Sequence, residues 1–216
     1  MQALKVPLAL LAVAAFAACT PKTEEVSLMA PQEKKDDGKK TETITLGGGC
    51  FWCIEAVFQE VKGVVAVESG YSNGNAEHPS YEEVCTGKTN CAEVCQIKYD
   101  PSVIDFKGIL KVFFKVHDPT TLNYQGNDHG TQYRSGIYFH TPEQKEIAEK
   151  IKKELDASGA WKDPIVTEIL PVSKYSKAED YHQNYFRTHP NQGYCKFVIG
   201  PKMDKFRKVF ADQLQK

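Results

Sequence analysis

The sequence has almost no net charge and no basic cluster, which argues against a protein that binds nucleic acid. Its 27 lysine and arginine residues face 28 aspartate and glutamate residues, giving a formal net charge of −1. Binding to a phosphate backbone needs a concentrated positive surface. The sequence also lacks metal-binding, nucleotide-binding and flavin-binding motifs, and it has no internal repeat. We therefore expect no nucleic-acid partner, no metal and no organic cofactor.

A long apolar run is present at the N-terminus, and it is typical of an export signal. The stretch VPLALLAVAAFAA at 6–18 is too short to span a bilayer comfortably and ends in small residues. We predict a signal peptide over 1–18. The four residues Phe16-Ala17-Ala18-Cys19 resemble the lipobox of bacterial lipoproteins, in which the cysteine becomes the lipidated first residue. We therefore expect lipidation of Cys19 and an exported protein, anchored by lipid at the periplasmic face of a bacterial cell envelope.

The segment after Cys19 lacks aromatic side chains and mixes charges of both signs. Such a composition cannot bury enough apolar surface to fold. We predict that 19–43 form a lipidated, disordered tether. The remaining residues, 44–216, have the length of a single folded domain.

Predicted strands and helices alternate within 44–216. Apolar and polar residues alternate along the strands, which favours a sheet covered by helices over a doubly wound parallel sheet. We therefore predict an α+β fold, a mixed sheet with helices packed on it. The strands are predicted at 43–46, 64–72, 92–100, 135–140 and 166–172, with a tight turn at 47–49. The helices are predicted from 51 to near 63 and at 80–87, 105–118, 142–159, 177–189 and 202–214.

The cysteines carry the clearest chemical signal. A domain of this size folds without disulfides, so its cysteines are as consistent with chemistry as with structure. The motif GGGCFWCIEAVF at 47–58 places Cys50 and Cys53 directly after three glycines. It is compatible with a metal knuckle, a hydrolytic nucleophile or a redox thiol. The seven cysteines are Cys19, Cys50, Cys53, Cys85, Cys91, Cys95 and Cys195.

The three alternatives differ in how well the other residues fit. Cys50 and Cys53 with Cys91 and Cys95 have roughly zinc-knuckle spacing, but the second pair falls on a predicted strand. A cysteine protease would pair Cys50 with a distant histidine such as His182, although the flanking residues do not match the papain-type pattern. A redox thiol is favoured, because the glycines allow a sharp turn. The start of the following helix would then lower the thiol pKa of Cys50.

Six motifs together resemble those of the peptide methionine sulfoxide reductase A family, in the family's order over nearly all of 44–210. The resemblance implies a ferredoxin-like α/β plait and assigns 44–216 as the catalytic domain. It also implies reduction of methionine S-sulfoxide to methionine, in proteins and as the free amino acid. The motifs are GGGCFWCIEAVF, GYSNGNAEHPSYEEVCTGKTNCAEV, YDPSVIDF, HDPTTLNYQGNDHGTQYRSGIY, AEDYHQNYF and NQGYC.

By this resemblance, Cys50 is the nucleophile whose thiolate attacks the sulfoxide sulfur. Phe51 and Trp52 form the apolar wall that holds the substrate methyl group and selects the epimer. Glu93 hydrogen-bonds the sulfoxide oxygen. A carboxyl group can donate near neutral pH only if burial raises its pKa, so we expect Glu93 in a largely apolar pocket.

Four more residues complete the expected site. Tyr81 and Tyr133 match the two family tyrosines that also hydrogen-bond the sulfoxide oxygen. Asp128 is expected to support substrate binding. His182 is expected to act through its neighbours rather than on the substrate.

After the oxygen transfer, the enzyme is expected to carry a sulfenic acid on Cys50. This sulfenic acid condenses with a second thiol to form a disulfide. Cys195 matches the family's usual resolving cysteine, and Cys53 stands where many relatives have glycine. We rank Cys195 first and Cys53 close behind. Cys85 and Cys95 are expected to be small apolar core residues.

The expected partners follow from the same chemistry. Electrons are expected from an external thioredoxin-like dithiol, without a prosthetic group. The substrates are oxidised proteins and peptides that contain methionine sulfoxide, and we expect a monomer. Two other functions stay open: a lipoprotein binding module without a reactive thiol, and a cysteine hydrolase that consumes no dithiol.

Overall fold

The structure is a computed structural model that describes residues 40–215. The predicted signal peptide at 1–18, the lipidation site Cys19 and the tether up to residue 39 lie outside the described residues. The first strand begins at Glu42, two residues before the predicted domain start. Within 40–215, no helix combines the length and the apolar character that crossing a bilayer requires.

Most of the strands belong to one mixed six-stranded sheet. The strands are β1 (Glu42–Gly48), β2 (Val64–Ser72), β3 (Ala92–Tyr99), β4 (Tyr124–Gln125), β5 (Asp128–His129), β6 (Ser135–Phe139), β7 (Glu168–Pro171) and β8 (Ser176–Lys177). The sheet order is β7-β6-β1-β3-β2-β8, and β4 and β5 form a separate hairpin. Only the β6–β7 pair of the described sheet is parallel.

Six α-helices accompany the sheet. They are α1 (Phe51–Phe58), α2 (Tyr81–Cys85), α3 (Phe106–Val116), α4 (Pro142–Ser158), α5 (Tyr185–Thr188) and α6 (Gly200–Val209). Side-chain caps fix the starts of the two long central helices: Asp105 accepts from the Gly108 N–H at the start of α3, and Thr141 accepts from the Gln144 N–H at the start of α4. Short 3₁₀ turns cover Thr131–Tyr133, Asp180–His182 and Ala211–Gln213, and a π-helical turn covers Cys195–Ile199.

The core of the fold is a βαββαβ unit. The chain runs β1-α1-β2-β3-α3-β6, and these four strands lie in the order β6-β1-β3-β2 with antiparallel neighbours. This is the ferredoxin-like plait. The predicted fold class, an α+β fold with a mixed sheet and packed helices, is confirmed.

The central strand β3 places different residues on the two faces of the sheet. Side chains alternate along a strand, so Glu93 and Cys95 share one face while Val94 points to the other. Cys95 Sγ lies 3.4 Å from the Phe51 carbonyl oxygen, which shows that α1 covers the face of Glu93 and Cys95. Val94 lies in a separate small cluster under Tyr175. The pleat of β3 therefore brings Glu93 under the start of α1.

The prediction of one helix over 177–189 is wrong. The segment contains the last residue of β8, a 3₁₀ turn and the four-residue α5, and Asn184 between them has φ 57°. The Gln183 side chain bonds both the N–H and the carbonyl oxygen of Ser69 on β2, each at 3.0 Å. These tertiary hydrogen bonds hold the segment along the edge of the sheet and override its helical pattern.

Three element boundaries also differ from the prediction. Helix α1 ends at Phe58 rather than near 63. Gly47 and Gly48 belong to β1, which confines the predicted turn to Gly49. The C-terminal helical region begins at Gly193, two residues before the π-helical turn, rather than at 202.

Candidate active site

Cys50 lies in the sharp turn between β1 and α1 and is the N-cap residue of α1. Gly49 has φ +90°, and a Cβ added there would lie 2.7 Å from the Gln125 side chain. Only glycine fits this position without strain. The Cys50 carbonyl accepts from the Cys53 N–H at 3.0 Å as the helix starts. The turn leaves Cys50 8% exposed, at the edge of the core.

The backbone at the start of α1 lowers the pKa of Cys50, as expected, but other effects outweigh it, so the expected net lowering is wrong. Burial raises the pKa of Cys50 well above its usual range, with contributions from Cys53 and Glu93 that outweigh a nearby backbone N–H. The hydrogen bond from the Cys50 thiol lowers the pKa of Cys53 to about 7 against the effect of burial, and Lys202 and Tyr194 add to this lowering. Cys53 therefore has the lower pKa of the two neighbouring thiols.

Glu93 lies at the N-terminal end of α1, where its Oε2 accepts from the Phe51 N–H at 3.0 Å. The side chain is 1% exposed. Burial raises the pKa of Glu93 to about 8, although the Phe51 N–H opposes the shift. At pH 7 the carboxyl group is therefore mostly protonated and carries an O–H that can donate. Glu93 is therefore buried with a raised pKa, as expected.

Phe51 and Trp52 form a fixed group of rings beside Cys50. Phe51 is buried, and its ring centroid lies 5.0 Å from that of His182. The Trp52 indole stacks on Tyr185 with centroids 3.8 Å apart and planes 7° apart. Its Nε1 donates to His182 Nδ1 at 3.2 Å. Both rings are held by neighbours, so they present an apolar wall of defined shape.

Tyr81 and Tyr133 enter the site from α2 and from the 3₁₀ turn before β6. Both are half-buried. Burial raises the pKa of both phenols, and the nearby charge of Glu93 contributes in each case. The charge of Cys50 also raises the pKa of Tyr133. Both tyrosines are therefore protonated donors within electrostatic reach of Glu93.

His182 lies among the aromatic rings, 1% exposed and 4.5 Å from the Tyr81 ring centroid. Burial lowers the pKa of His182, so the ring is neutral. Its Nδ1 accepts from Trp52, while its buried Nε2 has no hydrogen-bond partner among residues 40–215 and lies 3.8 Å from Glu179 Oε2. The imidazole orients Trp52 rather than Cys50, which is not the layout of a Cys–His hydrolase.

Two residues that the sequence analysis did not assign also belong to the site. The Tyr194 hydroxyl donates to Asp128 Oδ2 at 2.5 Å and lies 4.0 Å from Cys53 Sγ. Glu179 accepts from the Tyr81 N–H at 2.9 Å and so holds the start of α2. Their positions inside the NQGYC and AEDYHQNYF motifs could have identified them from the sequence.

The remaining cysteines differ in burial. Cys195 is fully buried, and burial together with the charge of Cys53 raises its pKa. Cys95 is buried as expected of a core residue. The expectation for Cys85 is wrong: it is exposed, because Val84 takes the buried position of α2. Every cysteine in the described part of the chain is a free thiol.

The zinc alternative finds no geometric support. In the part of the chain that the structure describes, no three His, Cys, Asp or Glu side chains converge in a way that could hold a metal ion. Cys91 lies instead beside Gly74 and the Ala76 carbonyl oxygen. The arrangement around Cys50 combines two neighbouring thiols, a protonated carboxyl group and an apolar wall. It suits attack by sulfur on a neutral, polarised group whose oxygen must receive a proton.

Comparison with known proteins points to one family. The family model for peptide methionine sulfoxide reductase matches residues 42–214. Peptide methionine sulfoxide reductase MsrA of Polynucleobacter asymbioticus is 56% identical over 169 residues, which cover 78% of this chain and 89% of the relative. The MsrA of Sulfolobus acidocaldarius is 54% identical over 172 residues, 80% of this chain and 97% of the relative.

Two solved structures have the same fold. The reduced form of Mxr1 from Saccharomyces cerevisiae superposes with a TM-score of 0.67 at 38% identity and covers 78% of this chain and 96% of that protein. Methionine sulfoxide reductase A of Corynebacterium diphtheriae gives a TM-score of 0.65 at 41% identity and covers 73% of this chain and 78% of that one.

The raised pKa of Glu93 predicts a specific pH dependence of stability. Glu93 binds its proton up to about pH 8 in the folded protein, whereas the reference pKa of an unshifted glutamate is 4.5. The unfolded chain therefore holds fewer protons between these values, and the stability falls as pH rises, by up to about 1.4 kcal/mol per pH unit for this one group. Glu93→Gln should remove that contribution.

Denaturant titrations at intervals from pH 5 to pH 9 measure this effect as the difference between variant and wild type. The exposed variant Glu154→Gln is the control and should keep the wild-type slope. Parallel stability curves for Glu93→Gln and the wild type would contradict the raised pKa.

Proposed function

Because this chain belongs to the peptide methionine sulfoxide reductase family, we propose that Cys50 attacks the sulfur of a methionine S-sulfoxide. The enzyme reduces the sulfoxide to methionine, and we propose that it accepts both oxidised proteins and the free amino acid. The observation that carries the mechanism is the buried, protonated Glu93 at the start of α1, directly beside the cysteine turn.

The first step transfers the sulfoxide oxygen to Cys50. As the Cys50 sulfur attacks, its proton passes to the Cys53 thiolate that already accepts its hydrogen bond. Glu93 gives its proton to the sulfoxide oxygen, and Tyr81 and Tyr133 stabilise the charge that develops there. The oxygen then moves from the substrate sulfur to the Cys50 sulfur: the sulfur–oxygen bond of the substrate and the new bond between the two sulfur atoms break as the Cys50 sulfur–oxygen bond forms. The products are methionine and a sulfenic acid on Cys50.

The wall of Phe51 and Trp52 accounts for the proposed choice of epimer. A methionine sulfoxide sulfur carries a methyl group, an oxygen and the side-chain methylene. If the methyl group lies against the rings and the oxygen points to Glu93, the third substituent has one remaining direction, which only one epimer satisfies. Asp128 supports this pocket by accepting a hydrogen bond of 2.5 Å from the Tyr194 hydroxyl.

We propose that Cys53 resolves the sulfenic acid first and Cys195 second, the reverse of the sequence-based ranking. Cys53 lies one helical turn from Cys50 and has a lowered pKa, whereas the pKa of Cys195 is raised by burial and by the charge of Cys53. The Cys53 thiol, which took up the Cys50 proton in the first step, attacks the sulfur of the Cys50 sulfenic acid and forms their disulfide. Its proton passes to the oxygen, which leaves as water. The Cys195 thiol then attacks Cys53 and releases Cys50 as a thiol.

An external dithiol must close the cycle, because each turnover leaves the enzyme two electrons short. We propose a thioredoxin-like protein, which reduces the Cys53–Cys195 disulfide and is itself oxidised to a disulfide.

The central prediction is stoichiometric. One methionine should form for each dithiol oxidised, with the S epimer as the only substrate, and Cys50→Ser should lose at least about 10³-fold in rate because no other thiol starts the reaction. Incubating each pure epimer with thioredoxin, its reductase and NADPH measures both quantities. A binding module would keep its function in Cys50→Ser, and a hydrolase would consume no dithiol. Turnover of neither epimer would overturn the proposal.

The order of the resolving thiols gives a second prediction. After one equivalent of substrate without reductant, Cys195→Ser should hold a Cys50–Cys53 disulfide and release methionine at the wild-type rate. Cys53→Ser should release methionine more slowly, because the thiolate that takes the Cys50 proton is missing. Rapid-quench mass spectrometry of the thiol-blocked peptides identifies each linkage. A Cys50–Cys195 disulfide as the earliest species in the wild type would reverse the order.

We also propose that the protein is exported and anchored by lipid on Cys19. Support comes from the apolar run at 6–18, its small-residue end and the charged segment that follows. The wild type expressed in bacteria should fractionate with membranes and be released by detergent. Cys19→Ala should fractionate away from them while keeping its sulfoxide reductase activity. Soluble wild-type protein with Met1 intact would contradict the proposal.

A further inference from the structure

Helix α1 buries a second carboxyl group that the reaction does not use. Glu55 lies one turn after Trp52 and is 1% exposed. Burial raises the pKa of Glu55 to about 7, and hydrogen bonds from the backbone of Asn184 and Tyr185 oppose the shift. A buried carboxyl group is costly unless its oxygens are satisfied, so its partners indicate what it is for.

Two consecutive backbone N–H groups donate to Glu55, and the Ser69 side chain and the charge of Arg187 also favour its ionised form. Asn184 donates to Oε1 at 2.9 Å, and Tyr185 donates to Oε2 at 3.3 Å. Asn184 has φ 57°, a conformation that a residue with a side chain seldom adopts without support. Gln59 adds a third link, because its Nε2 donates to Asn184 Oδ1 at 2.8 Å. One face of α1 therefore fixes the backbone at 184–185.

This fixed backbone determines where the Tyr185 ring lies. The ring is parallel to the Trp52 indole at 3.8 Å between centroids. Trp52 and Glu55 are three residues apart on α1, so both point to the same side of the helix. Glu55 thus holds Tyr185, and Tyr185 supports the ring of Trp52, one turn earlier on α1. His182 also fixes Trp52, because it accepts a hydrogen bond from the indole N–H.

We propose that Glu55 is a positioning residue that sets the substrate wall by holding Asn184 and Tyr185 so that Tyr185 stacks on Trp52. The inference rests on the proposed role of Trp52 in holding the substrate methyl group. It concerns a residue that touches neither the substrate nor the reacting sulfur atoms.

The first test is Glu55→Gln, which keeps the size of the side chain but turns one acceptor into a donor facing an N–H. We expect KM for a peptide methionine S-sulfoxide to rise about fivefold to twentyfold with kcat within about twofold, because a binding wall and not a reacting group is disturbed. Glu60→Gln is the matched control. Glu60 is a nearby carboxylate that pairs with Arg207 at 2.6 Å, and KM should be unchanged.

A spectroscopic readout separates positioning from a general loss of structure. The sequence has two tryptophans, so Trp161→Phe leaves Trp52 as the only tryptophan, whose emission is separated from that of the tyrosines by selective excitation. In that background Glu55→Gln should shift the Trp52 emission to longer wavelength, as the ring loses its stacked partner and gains contact with water. Tyr185→Leu should give the same shift and the same rise in KM. The double variant should be no worse than either single one, since both act on one contact.

Several results would overturn the inference. Unchanged Trp52 emission in Glu55→Gln, or additive effects of Glu55→Gln and Tyr185→Leu, would show that Glu55 does not act through this stack. If Glu55→Gln does not fold, Tyr185→Leu with unchanged KM and emission would have the same meaning. Trp52→Leu distinguishes failure of the proposed role of Trp52 from failure of the role of Glu55. An unchanged KM in Trp52→Leu would show that Trp52 does not form a substrate wall. A raised KM in Trp52→Leu but not in Glu55→Gln would overturn only the role of Glu55.

Discussion

The hydrogen bond from the Phe51 N–H to Glu93, 3.0 Å long, is the contact on which the site depends. It joins the start of α1 to the central strand, and it closes a pocket so dry that the carboxyl group keeps its proton near neutral pH. The same contact fixes the turn that presents Cys50. A carboxylate that was half-exposed would be ionised and could not donate to an oxygen, so the acid and the nucleophile both depend on this burial.

Helix α1 is the element that organises the other parts of the molecule around this contact. Its first turn supplies the two thiols and the two aromatic rings, and its next turn supplies Glu55, which ties it to 184–185. The helix is only eight residues long. A short helix has little intrinsic stability, so its position is set by tertiary packing on the sheet and by buried hydrogen bonds rather than by propensity. This explains why so many buried polar groups cluster along one short element.

The pKa values of Cys50 and Cys53 are in the reverse of the order that the helix start alone would produce. The helix start alone would favour a thiolate at Cys50, but burial raises the pKa of Cys50 and leaves Cys53 with the lower pKa of the two. A resting nucleophile that keeps its proton is less open to unwanted oxidation, because the thiolate is the reactive form. Its activation then occurs only when a substrate is in place and the neighbouring thiolate can accept the proton.

The sequence by itself determined the fold class, the starts of α3 and α4 and most of the residues that the fold brings together around Cys50. These follow from local patterns: strand alternation, the caps Asp105 and Thr141, and motifs whose residues are close along the chain. The sequence did not determine the segment 177–189, the pKa order of Cys50 and Cys53, or the roles of Glu55 and Tyr194. The partners in those cases lie far apart along the chain, such as Glu55 with 184–185 and Gln183 with Ser69. Desolvation and long-range hydrogen bonds exist only once the sheet and α1 have packed, so only the tertiary structure decided them.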